Sequence, residues 1–332
     1  MSAINSSEFR GTELETTMSD YAAHSIARTR NRVGADLSSR NREGQYRKTA
    51  HRVLTLLATV GSHIGAWIRS HVGATIAAIF AVLVLVAVFF PSLFTRYSAE
   101  ATSPSESLQA PSLKHIFGTD LLGRDLFSRV VYGGKTTLLA SLIALAIAVT
   151  AGLVIGIISG YAGSVVDTVL MRFIDVWLAI PGLLLAITIV TAIGFGSIPV
   201  AIAIGIGMTP AFARTTRSQV LKVKTSAYIE AAEASGDSTA RIILTHILPN
   251  SLGPVIVMAL LEFGGVIMGV ATLSFLGFGE APPAPEWGSL INAGRDYLVT
   301  APWLSLLPGL VVVLTALSIT IVARALRKGE DQ

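Results

Sequence analysis

The sequence predicts an all-α, polytopic membrane protein with six transmembrane helices, on three observations. Of its 332 residues, 52% are hydrophobic and only 14% charged, whereas domains that face water carry about 25% charged residues. Long stretches nearly free of Asp, Glu, Lys and Arg recur along the chain, and about 20 apolar residues suffice to cross a hydrocarbon core of about 30 Å as a helix. Between those stretches Lys and Arg alternate from abundant to scarce, the pattern by which a chain sets its direction across a bilayer.

Taken in order, residues 1–50 mix Ser, Thr, Asn, Arg and Glu without period. They read as a polar, mobile cytoplasmic tail, and they lack the basic start and apolar core of a signal peptide. Residues 51–71 place Arg52 and Arg69 among Val53, Leu54, Leu56, Leu57, Ile64 and Trp67. That is the make-up of an amphipathic helix lying along a lipid surface, with an ordinary linker as the alternative. Span one is expected near 72–94, inside the uncharged run from Ser70 to Thr95, and residues 95–134 form an extracytoplasmic segment.

The remaining five spans fall within 135–326. Span two is expected near 137–160. From Val176 to Ala213 the chain is uncharged for 38 residues, about 57 Å as a helix and too long for one crossing. The stretch Gly194-Phe195-Gly196-Ser197-Ile198-Pro199 should break it, leaving span three near 169–193 and span four near 198–214. Span five, near 252–275, carries one acid, Glu262, and span six runs near 303–323. Residues 327–332 are a short cytoplasmic C-terminus.

Lys and Arg number ten in 1–71, five in 214–250 and three in 324–332, against four in 95–134 and one in 276–302. Both termini and the 214–250 loop are therefore expected in the cytoplasm.

Several chemistries are excluded. With no cysteine, the chain has no disulfide, thiolate zinc ligand or thiol nucleophile. Neither H-E-x-x-H nor G-x-S-x-G occurs, and the six histidines show no metal-ligand spacing, so no metal site, resident cofactor or catalytic residue is expected. Nothing points to a nucleic-acid partner. Gly134-Lys135-Thr136 matches the end of a phosphate-binding loop, but Arg129 stands where the first glycine belongs and cannot make its tight turn. We read the triplet as two flexible glycines at the start of span two.

The loop 214–250 is expected to form a helix, a break at Gly236, and a second helix capped by Asp237 or Ser238 and stopped by Pro249. Glu230, Glu233 and Asp237 recur at i, i+3 and i+7, so the first two share a helical face that Asp237 continues. Small residues around them (Ala231, Ala232, Ala234) would let such a hairpin enter a groove closely. A plain connector between spans is the alternative. Glu262 should face the bundle interior or the transport path, since a charge in lipid is costly. Arg172 and Asp175, three apart, are expected to pair locally. The glycines of 152–163 and 264–269 read as helix-packing sites, and Trp287 and Trp303 as interfacial anchors. Residues 277–302, rich in Gly and Pro, carry Glu280, Glu286 and Asp296 with Trp287. They read as a rigid outer loop that contacts a partner or gates the outer mouth.

Glu230-Ala231-Ala232, Gly236 and Leu248-Pro249 together resemble the EAA loop of permease subunits from binding-protein-dependent ABC importers. Three further stretches, FGTDLLGRDLFSRVVYGGKTTL (117–138), RFIDVWLAIPGLLLAI (172–187) and LSFLGFGEAPPAPEWGSLINAGRDYLVTAPWLSLLPGL (273–310), are similar to the C-type subunit of the dipeptide/oligopeptide (nickel) group. The resemblance covers about residues 72–323. It departs from the group in the long N-terminal tail, in the ending ARALRKGEDQ, and in Val270, where many members carry Glu.

The resemblance implies a type I importer permease fold, with Glu230, Ala231, Ala232, Glu233, Gly236, Asp237, Leu248 and Pro249 forming the loop that couples to an ATPase. It implies as partners a second homologous permease chain, two ATP-binding subunits that hold ATP and Mg, an extracytoplasmic substrate-binding protein, a peptide substrate and membrane lipid. Nickel, heme or another small solute on the same machinery, or an ion-driven secondary transporter, are the alternatives.

Overall fold

The computed structural model describes residues 72–330, with side chains to 327; the expectations for 1–71 and for the last two residues lie outside them. The described chain is helical, apart from loops and one isolated bridge between Thr119 and Asp125.

Helix α1, Val72–Phe89, stops five residues before its expected end. Pro91 disfavours helical geometry at Phe90 (φ −126°, ψ 61°), and a single 3₁₀ turn, Pro91–Leu93, follows. Helix α2 is Leu126–Ala162, 37 residues and about 55 Å long. It begins eleven residues before the expected start of span two, because Asp125 caps it by accepting from the Ser128 N–H at 2.8 Å. Gly133 to Thr136 therefore lie inside a helix and not at its flexible start.

Span three is not one straight helix. It divides into α3, Ser164–Ala179, and α4, Gly182–Ile193, bent by 93°. Pro181 has no N–H to continue the ladder and holds Ile180 extended (φ −83°, ψ 126°). After Gly194 and Gly196, both at positive φ, α5 runs Ser197–Lys224, ten residues beyond the expected end of span four. Then come α6, Ala227–Ala234, and the four-residue α7, Thr239–Ile242.

Pro249 does not stop the chain's helical course. A π-turn, Ile243–Ile247, leads directly into α8, Leu248–Leu273. That wider turn makes room for the proline ring near the helix start, where its missing N–H costs least. A second π-turn, Ser274–Phe278, ends this 40-residue rod. Helix α9, Trp287–Gly294, and a 3₁₀ turn, Arg295–Tyr297, precede α10, Trp303–Glu330. Five helices are long and apolar enough to cross a membrane, and the bent α3–α4 pair makes a sixth candidate.

The bundle is built on small residues. Gly152, Gly156 and Gly160 form a stripe on α2 against α5; a Cβ on them would stand 2.4 Å from that of Phe212, 2.5 Å from that of Thr216 and 2.8 Å from that of Val220. Gly264 on α8 meets α10 as closely, with a Cβ falling 2.5 Å from the Ala316 carbonyl. In lipid the chain gains little by hiding apolar surface, so helices associate through such close backbone contact. Among the described residues, four buried clusters run along the bundle, one of them made of Ala148, Phe212 and Val255. Leu126, Val130, Trp287, Leu290 and Leu304 fill one end. Ala140, Ala144, Val190, Val200 and Val266 fill the middle, where Val270 is also buried. Val220, Ile229, Ile242 and Ile247 close the opposite end.

Candidate functional site

The most built feature of the loop 214–250 is its hairpin. Three isoleucines hold it: Ile229, Ile242 and Ile247 are each at most 1% exposed and pack on Val220, with Ile157, Tyr161 and Val223 around them. The hairpin is thus seated on the ends of α2 and α5. At its tip Gly236 takes φ +83°, and two bonds close the turn: Asp237 N–H donates to the Ala232 carbonyl at 3.1 Å and Gly236 N–H to that of Glu233 at 3.0 Å. This is a Schellman ending, in which glycine takes the left-handed residue without a steric penalty.

The seat determines what is presented. With Ile229 turned inward, Glu230, Ala231, Glu233 and Gly236 are exposed, while Ala232 is half-buried. Glu230 and Glu233 have no ion-pair partner among the described residues. Asp237 departs from the expected acidic face. It is half-buried and pairs with Arg241 across the start of α7 at 3.3 Å. Ser238 occupies the cap position of α7, though its side chain makes no capping bond. Leu248 is half-buried and Pro249 exposed, both on the first turn of α8.

Sequence reasoning missed the braces beneath the hairpin. Arg217 on α5 reaches Asp167 on α3 with Nε and Nη2, both at 2.5 Å, and Ser159 on α2 donates to the same carboxylate. Lys224 donates to the Tyr161 carbonyl at 2.9 Å and lies 4.9 Å from that ring's centre. Arg217 and Lys224 are seven apart and share a helix face, which was visible; their partners, 50 and 63 residues away, were not. Asp175 likewise pairs with Arg214 at 2.5 Å and not with Arg172. Arg172 is exposed on α3, and α5 offers Asp175 a partner across the helix interface.

At the other end of the bundle, the residues of 277–302 divide. Glu280 accepts from the Ser197 N–H at 3.1 Å and hydroxyl at 2.6 Å, closing the start of α5. Glu286 is 1% exposed; it accepts from Thr137 Oγ1 at 2.8 Å and from the Gly288 and Ser289 N–H groups. Trp287, also 1% exposed, donates from Nε1 to the Val130 carbonyl at 2.7 Å. Trp287 is thus a core residue rather than an interfacial anchor, because Gly133 and Gly134 leave room on α2 for the 285–287 segment to lie against it. Asp296 is exposed beside Arg295. Trp303 is half-buried, near the Thr119 carbonyl. In the 95–134 segment the Lys114 ammonium beside Glu106 holds that carboxyl below the usual carboxylate range.

Glu262 is exposed along α8, without a hydrogen-bond or ion-pair partner among the described residues. No cluster of His, Asp or Glu among the described residues has the arrangement of a metal site.

A multi-pass helical membrane protein with a hairpin rooted on two of its spans is the class these features define. Residues 152–331 match the family described as binding-protein-dependent transport system inner membrane component. The chain is similar to the dipeptide transport system permease protein DppC of Alkalihalophilus pseudofirmus, 42% identical over 248 residues, 75% of this chain and 81% of that one. It is 39% identical over 264 residues to the glutathione transport system permease protein GsiD of Escherichia coli O157:H7, 79% of this chain and 87% of that one. With the di/tripeptide transport system permease protein DppC of Pseudomonas aeruginosa it shares 38% identity over 229 residues, 69% and 76% of the two chains. Among solved structures it is similar to the MetNI methionine ABC transporter in an inward-facing conformation, with a TM-score of 0.48, 19% identity, and 61% and 97% of the two chains covered. The chain belongs to the family of binding-protein-dependent transport system inner membrane components.

Proposed function

We propose that this chain is one of two homologous permease subunits of an ABC importer for di- or oligopeptides. The observation that carries the coupling role is the seated hairpin. Its buried isoleucines and Schellman turn make it stiff, while Glu230, Ala231 and Glu233 are left outward and unpaired. A partner that moves this hairpin moves the ends of α2 and α5 with it, since Ile229, Ile242 and Ile247 pack directly on Val220 and Ile157. The names of the relatives support peptide as substrate.

In this reading the hairpin faces the cytoplasm and docks small residues and free carboxylates into a groove of an ATP-binding subunit, where ATP and Mg are held. The chain catalyses nothing itself. ATP-driven closure of the ATPase pair tilts the spans between inward-open and outward-open. Moving such an equilibrium from 1:99 to 99:1 takes about 5.5 kcal/mol, which only a rigid link transmits. Substrate arrives from an extracytoplasmic binding protein, for which the exposed Asp296 region offers a contact. Glu280, Glu286 and Trp287 support that surface from within.

The experiment is gentle purification of the tagged chain from its native membrane, followed by mass identification of what accompanies it. A second permease chain with ATP-binding subunits is expected. Recovery of this chain alone, still active in transport, would overturn the reading in favour of a secondary transporter.

A further inference from the structure

Between α1, α8 and α10 lies a cavity of about 640 Å³ lined by Ala74, Leu261, Glu262, Thr320, Arg324 and Arg327. Its size falls within the range of small-molecule sites, about 300–1,000 Å³. The close contact of Gly264 with Ala316 and Thr320 sets Glu262 level with the last turns of α10. Arg324 and Arg327, three apart, line the cavity from the same helix. All three charged side chains are exposed and have no hydrogen-bond or ion-pair partner among the described residues.

An acid and two guanidiniums, all exposed, present both signs of charge to whatever enters the cavity. Their signs narrow the choice. A purely anionic ligand would satisfy the arginines and face Glu262 with like charge, and a purely cationic one would do the reverse. A ligand with an ammonium at one end and an acid at the other satisfies all three.

We propose that this cavity is a binding site for a zwitterionic peptide, its ammonium held by Glu262 and its carboxylate by Arg324 and Arg327. The inference rests on the importer reading and adds a recognition step within the permease itself. The same pair of charges occurs on phosphatidylethanolamine, so the test separates the two sources.

The complete transporter, reconstituted with its binding protein, is assayed for uptake of a free dipeptide and of its N-acetylated and C-amidated forms, in vesicles with and without phosphatidylethanolamine. The binding protein is identical throughout, so a change of preference on mutation belongs to the permease. Glu262→Gln is expected to lower free-dipeptide uptake at least about tenfold while leaving the acetylated form unchanged, and Glu262→Asp to restore most of it. The double variant R324Q/R327Q is expected to lose the free dipeptide and keep the amidated one. Unchanged rates and preferences, equal loss of all three substrates, or an effect seen only with phosphatidylethanolamine present would each overturn the proposal. Wild-type transporter that imports no peptide at all would remove the substrate reading, and this inference with it. Wild-type import with indifferent variants would remove this inference alone.

Discussion

Arg217 and Asp167, fifty residues apart, meet through two nitrogen–oxygen contacts of 2.5 Å and tie α5 to α3. The pair is partly shielded, with side chains 32% and 19% exposed, and Ser159 adds α2 to the same carboxylate. Three helices are thereby held together at the end where the hairpin is seated.

Breaking that brace should weaken the frame. Arg217→Ala is expected to cost about 1–2 kcal/mol, after allowance for solvent screening, read as a lower unfolding temperature of the purified protein in detergent. Arg217→Lys should recover part of the loss, since an ammonium cannot make the two-point contact. An unchanged unfolding temperature in Arg217→Ala would show that the pair contributes nothing.

At the hairpin tip, space and conformation separate cleanly. A Cβ at Gly236 would touch nothing within 4 Å, yet φ is +83°. Gly236→Ala should cost about 1 kcal/mol from backbone strain alone. Gly236→Asp adds a third charge beside Glu230 and Glu233. In reconstituted transporter, uptake by the Asp variant is expected to fall severalfold while ATP hydrolysis continues. Normal uptake in Gly236→Asp and in Glu230→Ala would rule out the coupling role.

The glycine stripe makes a packing prediction. Gly156→Leu forces a side chain where a Cβ alone would sit 2.5 Å from that of Thr216. Overpacking of this kind costs about 1–3 kcal/mol, and α2 and α5 should separate. Gly182→Ala, with nothing within 4 Å, should be neutral. Comparing the folded yields of the two variants from membranes decides it.

Glu286 supports three donors from a buried site. Glu286→Ala should cost about 2–4 kcal/mol by leaving the Gly288 and Ser289 N–H groups unsatisfied, while the Thr137 hydroxyl keeps the Gly133 carbonyl as an acceptor. Glu280→Ala, at a half-buried carboxylate, should cost less. Thermal unfolding of both variants in one detergent checks the order.

Much of the fold was readable from residue order. The uncharged or nearly uncharged runs fall on the five helices long and apolar enough to cross a membrane, whereas the expected span three, which carries Arg172 and Asp175, is a bent pair; the Gly194–Pro199 break before α5 falls where glycine and proline placed it. Boundaries were less legible because they depend on local bonds. The Asp125 cap lengthens α2 at its N-terminus, a π-turn carries the helix through Pro249, and the backbone geometry imposed by Pro181 bends the α3–α4 pair by 93°. The break at Gly236 was legible because a left-handed residue between two helical patterns calls for glycine.

The amino-acid order alone determined that the chain lives in a membrane, roughly which segments form helices apolar enough to cross it, and where its hairpin lies, because hydropathy, charge and turn chemistry are properties of neighbouring residues. Only the tertiary structure decided that Glu286 and Trp287 are internal supports, that Asp175 pairs with Arg214, and that Glu262 shares a cavity with Arg324 and Arg327. Each of those facts depends on which helices approach one another. That approach is set by the glycine contacts between α2 and α5 and between α8 and α10, across separations that no local pattern encodes.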